Sequence, residues 1–153
     1  VIEADEVQVM SAGTGVYHSE YNKNPDKYIN LLQLWVLPKT QDVAPRYDQK
    51  SIRDLKKQNA LYQVLSPFSE DDGMWIHQDA WFHLGDFDQT LSIDYTVKKE
   101  GNGVYAFVIE GGFKVAGETL KKRDALGIWE TDKITLESEP KSSILLVDVP
   151  MNF

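Results

Sequence analysis

From residue 61 to the end, the chain is broken into short apolar-rich runs separated by turn residues every 8–12 positions. The runs are 61–65, 74–84, 90–98, 104–110, 113–116, 118–120, 125–129, 133–136 and 144–149. Glycine, proline, asparagine or aspartate punctuates the gaps between them, and no stretch keeps a helical period for a useful length. That spacing is the pattern of an antiparallel sandwich or barrel, so the expected fold class is all-β. Glu100-Gly101-Asn102-Gly103 reads as an Asn-Gly hairpin turn between two of these strands.

The N-terminal third adds three strands. Residues 6–10 alternate polar and apolar, as a half-buried strand does. A glycine turn at 11–15 leads into a run at 16–21, and residues 28–37 are apolar on both faces, as inside a sandwich. Pro38 stops that strand. Residues 39–59 turn polar and charged around Pro45 and read as a linker, with Ser51 placed to cap a short helix over 52–57.

The clearest chemical feature lies in M-S-A-G-T-G-V-Y-H-S-E-Y-N, residues 10–22. His18 and Glu20 are two apart, so on a strand they share a face about 7 Å apart. An imidazole and a carboxylate so placed can converge on one transition-metal ion, which takes at least three protein ligands. From spacing alone the ordinary reading is a surface or cavity histidine bonded to a nearby carboxylate. A second cluster, W-I-H-Q-D-A-W-F-H, puts Trp75, His77, Asp79, Trp81 and His83 on one strand face. His77 and Asp79 could form another ligand pair; the ordinary reading is a hydrogen-bonded polar strip beside the tryptophans.

A-G-T-G-x-x-H-S-E followed by Y-N, then L-L-Q-L-W-V-L-P and P-R-Y-D-Q, resembles the pirin family, bicupins that include bacterial quercetin 2,3-dioxygenase-like proteins. The resemblance runs through nearly the whole chain and implies cupin (RmlC-like) antiparallel β-barrels. It further implies a four-residue grip on a metal, a His-x-His pair on an earlier strand plus His18 and Glu20. The first pair would precede Val1, which suggests the C-terminal two-thirds of a longer bicupin. Residues 1–38 would then be the end of the N-terminal cupin, 39–58 an interdomain linker and 59–153 a C-terminal cupin. No histidine follows His83, so that second cupin is expected to be metal-free.

In the full-length protein the resemblance implies a divalent transition metal, iron first, and O2-dependent ring opening of a flat, flavonol-like aromatic substrate. Glu20 would serve as ligand, as catalytic base or as both. The fragment alone is expected to be inactive and to need no cofactor. A different class of function is also open: a non-catalytic, metal- or ligand-binding regulatory protein. Exposed strand edges would also allow a homodimer.

Net charge and motifs exclude more. At −8 the chain repels the phosphate backbone, and its one basic cluster, Lys121-Lys122-Arg123, reads as a solvated turn. There is no cysteine, hence no disulfide and no thiolate site, which agrees with a cytoplasmic location. No run approaches the length of a membrane span. Neither G-x-S-x-G, a P-loop nor H-E-x-x-H is present.

Overall fold

A computed structural model describes residues 1–152. Among the described residues, twelve strands form three sheets. The N-terminal ribbon joins β1 (Glu6–Ser11) and β2 (Arg46–Ser51) in antiparallel register. A six-stranded sheet follows, in the order β10 (Ala125–Ile128), β7 (Asn102–Glu110), β12 (Ser142–Pro150), β5 (Trp81–Phe87), β3 (Ala60–Ser66) and β4 (Met74–Trp75). Facing it is a four-stranded sheet of β6 (Ser92–Thr96), β11 (Lys133–Ser138), β8 (Gly112–Val115) and β9 (Glu118–Lys121).

The long strand β12 shows why the layers stack as they do. Its sequence S-S-I-L-L-V-D-V-P is apolar on both faces, and both faces are covered. Ile144 and Leu146 point between the two large sheets, where they meet Phe87, Val108, Phe113, Ile134 and Leu136. Leu145 and Val147 point the other way, onto a second core with Tyr62, Val64, Phe82 and, from the N-terminal ribbon, Val9. Period-2 alternation sends neighbours to opposite cores. The ribbon is therefore the lid of the outer face.

The chain passes from the six-stranded to the four-stranded sheet between β7 and β8, and Gly111 makes that corner. It holds φ +71°, and a Cβ there would sit 2.2 Å from Ser142 Oγ. Only glycine suits such a position.

The structure bears out the all-β class, β1, β3 and the strands from β5 onward, and corrects several local expectations. Residues 16–21 and 28–37 form no strand: 12–45 carry no ladder at all. The local pattern is strand-like, but a strand needs hydrogen-bonded neighbours, and this chain offers those residues none. The polar stretch 39–59 is more than a linker, because β2 lies inside it and pairs with β1 residue for residue. The short helix is a single 3-10 turn, Arg53–Leu55, with Ile52 at its N-cap; Ser51 Oγ still accepts the Arg53 amide, at 3.3 Å. Glu100-Gly101-Asn102-Gly103 does not close a hairpin. It joins β6 to β7, which belong to different sheets, through a turn in which the Asn102 amide donates to the Lys99 carbonyl. The run 74–84 breaks at 76–80, so Trp75, His77, Asp79, Trp81 and His83 do not share one strand face.

Candidate functional site

Gly13 and Gly15 make the expected turn, closed by the Gly15 amide on the Ala12 carbonyl at 2.8 Å. It delivers His18 and Glu20 onto the irregular stretch 12–45, where both side chains are exposed. Apolar side chains around them are exposed too: Tyr17 and Tyr28 fully, and Trp35 at 90%. Apolar residues on both faces of a segment mark a strand meant for burial. The end of the stretch is tied to the rest of the chain. Gln78 donates to the Leu37 carbonyl at 2.8 Å, and the Lys39 amide to the His77 carbonyl at 2.8 Å.

An imidazole and a carboxylate suit a divalent transition metal in kind. In number they do not, since two donors fall short of three. Among the described residues no three His, Cys, Asp or Glu side chains come together as a metal site. The residues present therefore form part of a donor set at most.

His77 and Asp79 diverge. His77 lies edge-on to Trp75, with ring centroids 4.8 Å apart, whereas Asp79 is gripped by the ammonium groups of Lys39 and Lys99. Those two hydrogen bonds hold the Asp79 carboxyl below its ordinary range. Arg46 stacks its guanidinium on Trp75 at 3.7 Å and donates to the Trp75 carbonyl. Together these contacts fasten the N-terminal third to the large sheets.

His83 heads a polar cluster that sequence reasoning did not assemble. Asp148 continues the inward row of β12 after Ile144 and Leu146 and is completely buried. Its Oδ2 accepts the Tyr95 hydroxyl at 2.9 Å and the Lys98 amide at 2.7 Å; its Oδ1 accepts Asn102 Nδ2 at 2.6 Å. His83 Nδ1 lies 3.5 Å from the Tyr95 hydroxyl oxygen, and the two rings meet edge to face. Burial, then the charge of Asp148 and its hydrogen bond, push the Tyr95 phenol well up. Burial, and then the Lys98 charge, push the His83 imidazole down to about 4. The one sequence signal for this cluster was a carboxylate, Asp148, inside an otherwise apolar strand.

A pH dependence follows. The ordinary imidazole value is 6.5, so between that and about 4 the unfolded chain takes up a proton that folded His83 refuses. Stability is expected to fall by about 2–3 kcal/mol as pH drops through that window, and to gain nothing from His83 above it. Urea unfolding at stepped pH checks this against His83→Gln, which should remove that slope. Asp79, with a lowered value, loses its contribution only at more acidic pH, as the solution approaches its folded value.

Two sheets packed face to face, antiparallel except where β4 runs parallel to β3, with strands crossing between them at tight corners, define the class: a cupin barrel. Residues 63–149 match the family model of the quercetinase C-terminal cupin domain, and residues 1–36 match the pirin model. The chain belongs to the pirin family and carries its C-terminal cupin domain. It is 32% identical over 153 residues to the quercetin 2,3-dioxygenase of Escherichia coli K12, covering 97% of this chain and 63% of that protein. A pirin-like protein of Caulobacter vibrioides is 32% identical over 146 residues, with 95% and 62% covered. The bacterial pirin YhhW of Escherichia coli, solved in complex with nickel(II), superposes with a TM-score of 0.88 at 30% identity, over 97% of this chain and 63% of that one. The chain thus spans a little under two thirds of the length of these relatives. Among the described residues no helix is long and apolar enough to cross a membrane.

Proposed function

We propose that this chain acts as the C-terminal part of a pirin-type bicupin whose whole-length form is a metal-dependent flavonol 2,3-dioxygenase. In this reading residues 1–38 complete an N-terminal cupin, 39–58 lead out of it, and 59–153 form the second cupin. His18 and Glu20 supply two donors to a divalent metal, and residues outside this chain supply the others. Glu20 has a further chemical use, as acceptor of the proton of a flavonol hydroxyl. The observation that carries this reading is the exposed stretch 12–45. It lies largely inside the pirin match, holds both donor residues, and presents apolar side chains on faces that a sheet would cover. The names of the relatives support the substrate class, and the nickel complex of one of them supports a divalent ion.

The test uses the protein at the full length of its relatives. Near-stoichiometric metal is expected in the unaltered protein, and a 10–100-fold loss of affinity or more in His18→Ala and Glu20→Ala. Equal metal content in all three would remove the site. Oxygen uptake with quercetin then separates an enzyme from a binder: consumption coupled to loss of the flavonol supports catalysis, and binding without consumption supports the regulatory alternative. Light scattering of the present chain decides whether a second copy covers the exposed stretch instead, because a plain monomer rules out self-pairing.

A further inference from the structure

The two large sheets are not joined along every side. β6 is the edge of the four-stranded sheet, and among the described residues no backbone ladder joins it to β3 or β5 across the sandwich. Along that seam lies an open cleft of about 460 Å³, within the usual range for small-molecule sites. Its walls are unlike in character. Leu61 and Ile93 make apolar sides, and the Tyr95 and His83 rings, 5.1 Å apart and at 71°, form an aromatic corner. Thr96 and Lys98 stand on the same lining.

The charges are placed unevenly. Lys98 is the only cation on the lining. No carboxylate pairs with its ammonium among the described residues; its Nζ lies 6.0 Å from the centroid of the Tyr95 ring. Asp94 is the only acid on the lining, and it is already engaged by Lys133 at 2.6 Å and Thr135 at 2.8 Å. The Tyr95 hydroxyl is committed to Asp148. His83 is left with one ring nitrogen toward Tyr95 and the other without a protein partner.

We propose that this seam is a binding site for a small aromatic monocarboxylate, with the ring between Leu61, Ile93 and Tyr95 and the carboxylate on Lys98. A single negative charge fits one unpaired ammonium, whereas a polyanion would meet the field of a chain with net charge −8. A flat ring fits a wall of two half-buried aliphatic side chains beside an aromatic pair. The site lies wholly in the second cupin and needs neither His18, Glu20 nor a metal. It stands or falls independently of the dioxygenase reading.

Benzoate is the probe, and benzyl alcohol its neutral counterpart, each titrated into the isotope-labelled chain and followed by amide NMR shifts. Benzoate is expected to give saturable shifts confined to residues near 60–61, 83 and 93–98, and to bind at least tenfold more tightly than benzyl alcohol. Lys98→Gln should weaken benzoate at least tenfold and leave benzyl alcohol unchanged. Ile93→Trp, which fills the cleft from its apolar wall without altering charge, should weaken both. Lys141→Gln, on an exposed turn elsewhere, should weaken neither. Shifts that never saturate or that scatter over the surface would overturn the site. Equal binding of the two probes, or unchanged benzoate binding in Lys98→Gln, would overturn the assignment of an anion.

Discussion

Asp148→Ala is expected to lower the free energy of unfolding by about 3–5 kcal/mol, because it removes the shared acceptor of three hydrogen bonds, and leaving a buried donor unsatisfied costs about 1–3 kcal/mol. The loss is large because three donors depend on this carboxylate: the Tyr95 hydroxyl, the Lys98 amide and the Asn102 side chain. The Tyr95 hydroxyl and the Lys98 amide would lose this acceptor, and Asn102 Nδ2 would keep only the Asp79 carbonyl at 3.1 Å. Asp148→Asn keeps one carbonyl oxygen but must turn an NH2 toward a donor, so an intermediate loss is expected. Urea denaturation measures both. A loss under about 1 kcal/mol for alanine would mean that water replaces the carboxylate, and that the cluster is wetter than its burial implies.

Phe113→Ala is expected to cost about 3–5 kcal/mol for a different reason. The ring is 1% exposed at the centre of the core between the two large sheets. It meets Phe87 edge to face, with centroids 5.6 Å apart. Removing it forfeits apolar burial and leaves a cavity that neighbours on rigid strands cannot close. Phe113→Leu, which keeps most of the volume, should recover much of the loss. Because Phe113 lies in a different part of the barrel from Asp148, the two losses should add to within about 0.5 kcal/mol in the double variant. A marked departure from additivity would show that the inner core and the polar cluster respond as one unit.

The second cupin was largely legible in the chain. Period-2 alternation and turn residues mark its strands locally, and β5 to β12 lie close to the runs read from residue types. What escaped was pairing. Nothing in Glu100-Gly101-Asn102-Gly103 says that the strands on either side join different sheets, because a turn's residues encode its local geometry and not the partner of the strand that follows. The same gap explains β2, whose sequence R-Y-D-Q-K-S looks like a polar linker. It is a strand because β1 pairs with it, not because its residues strongly favour one.

The site divides along the same line. The H-S-E motif could be found by inspection because its two residues are neighbours in sequence. The cluster of His83, Tyr95, Asn102 and Asp148 could not, since its members come from four strands and meet only when the sheets pack. A lone aspartate in an apolar strand signals that some partner exists, yet it cannot say which.

By itself, then, the amino-acid order determined the all-β class, the approximate place of most strands and the family motif around His18 and Glu20, all of which depend on short-range periodicity and spacing. Tertiary structure alone decided which strands are neighbours, which face of β12 belongs to which core, and which polar groups converge on the open seam. Those outcomes depend on contacts between residues distant in the chain, and the free energy that selects among them comes from burial and hydrogen bonding in the assembled sheets.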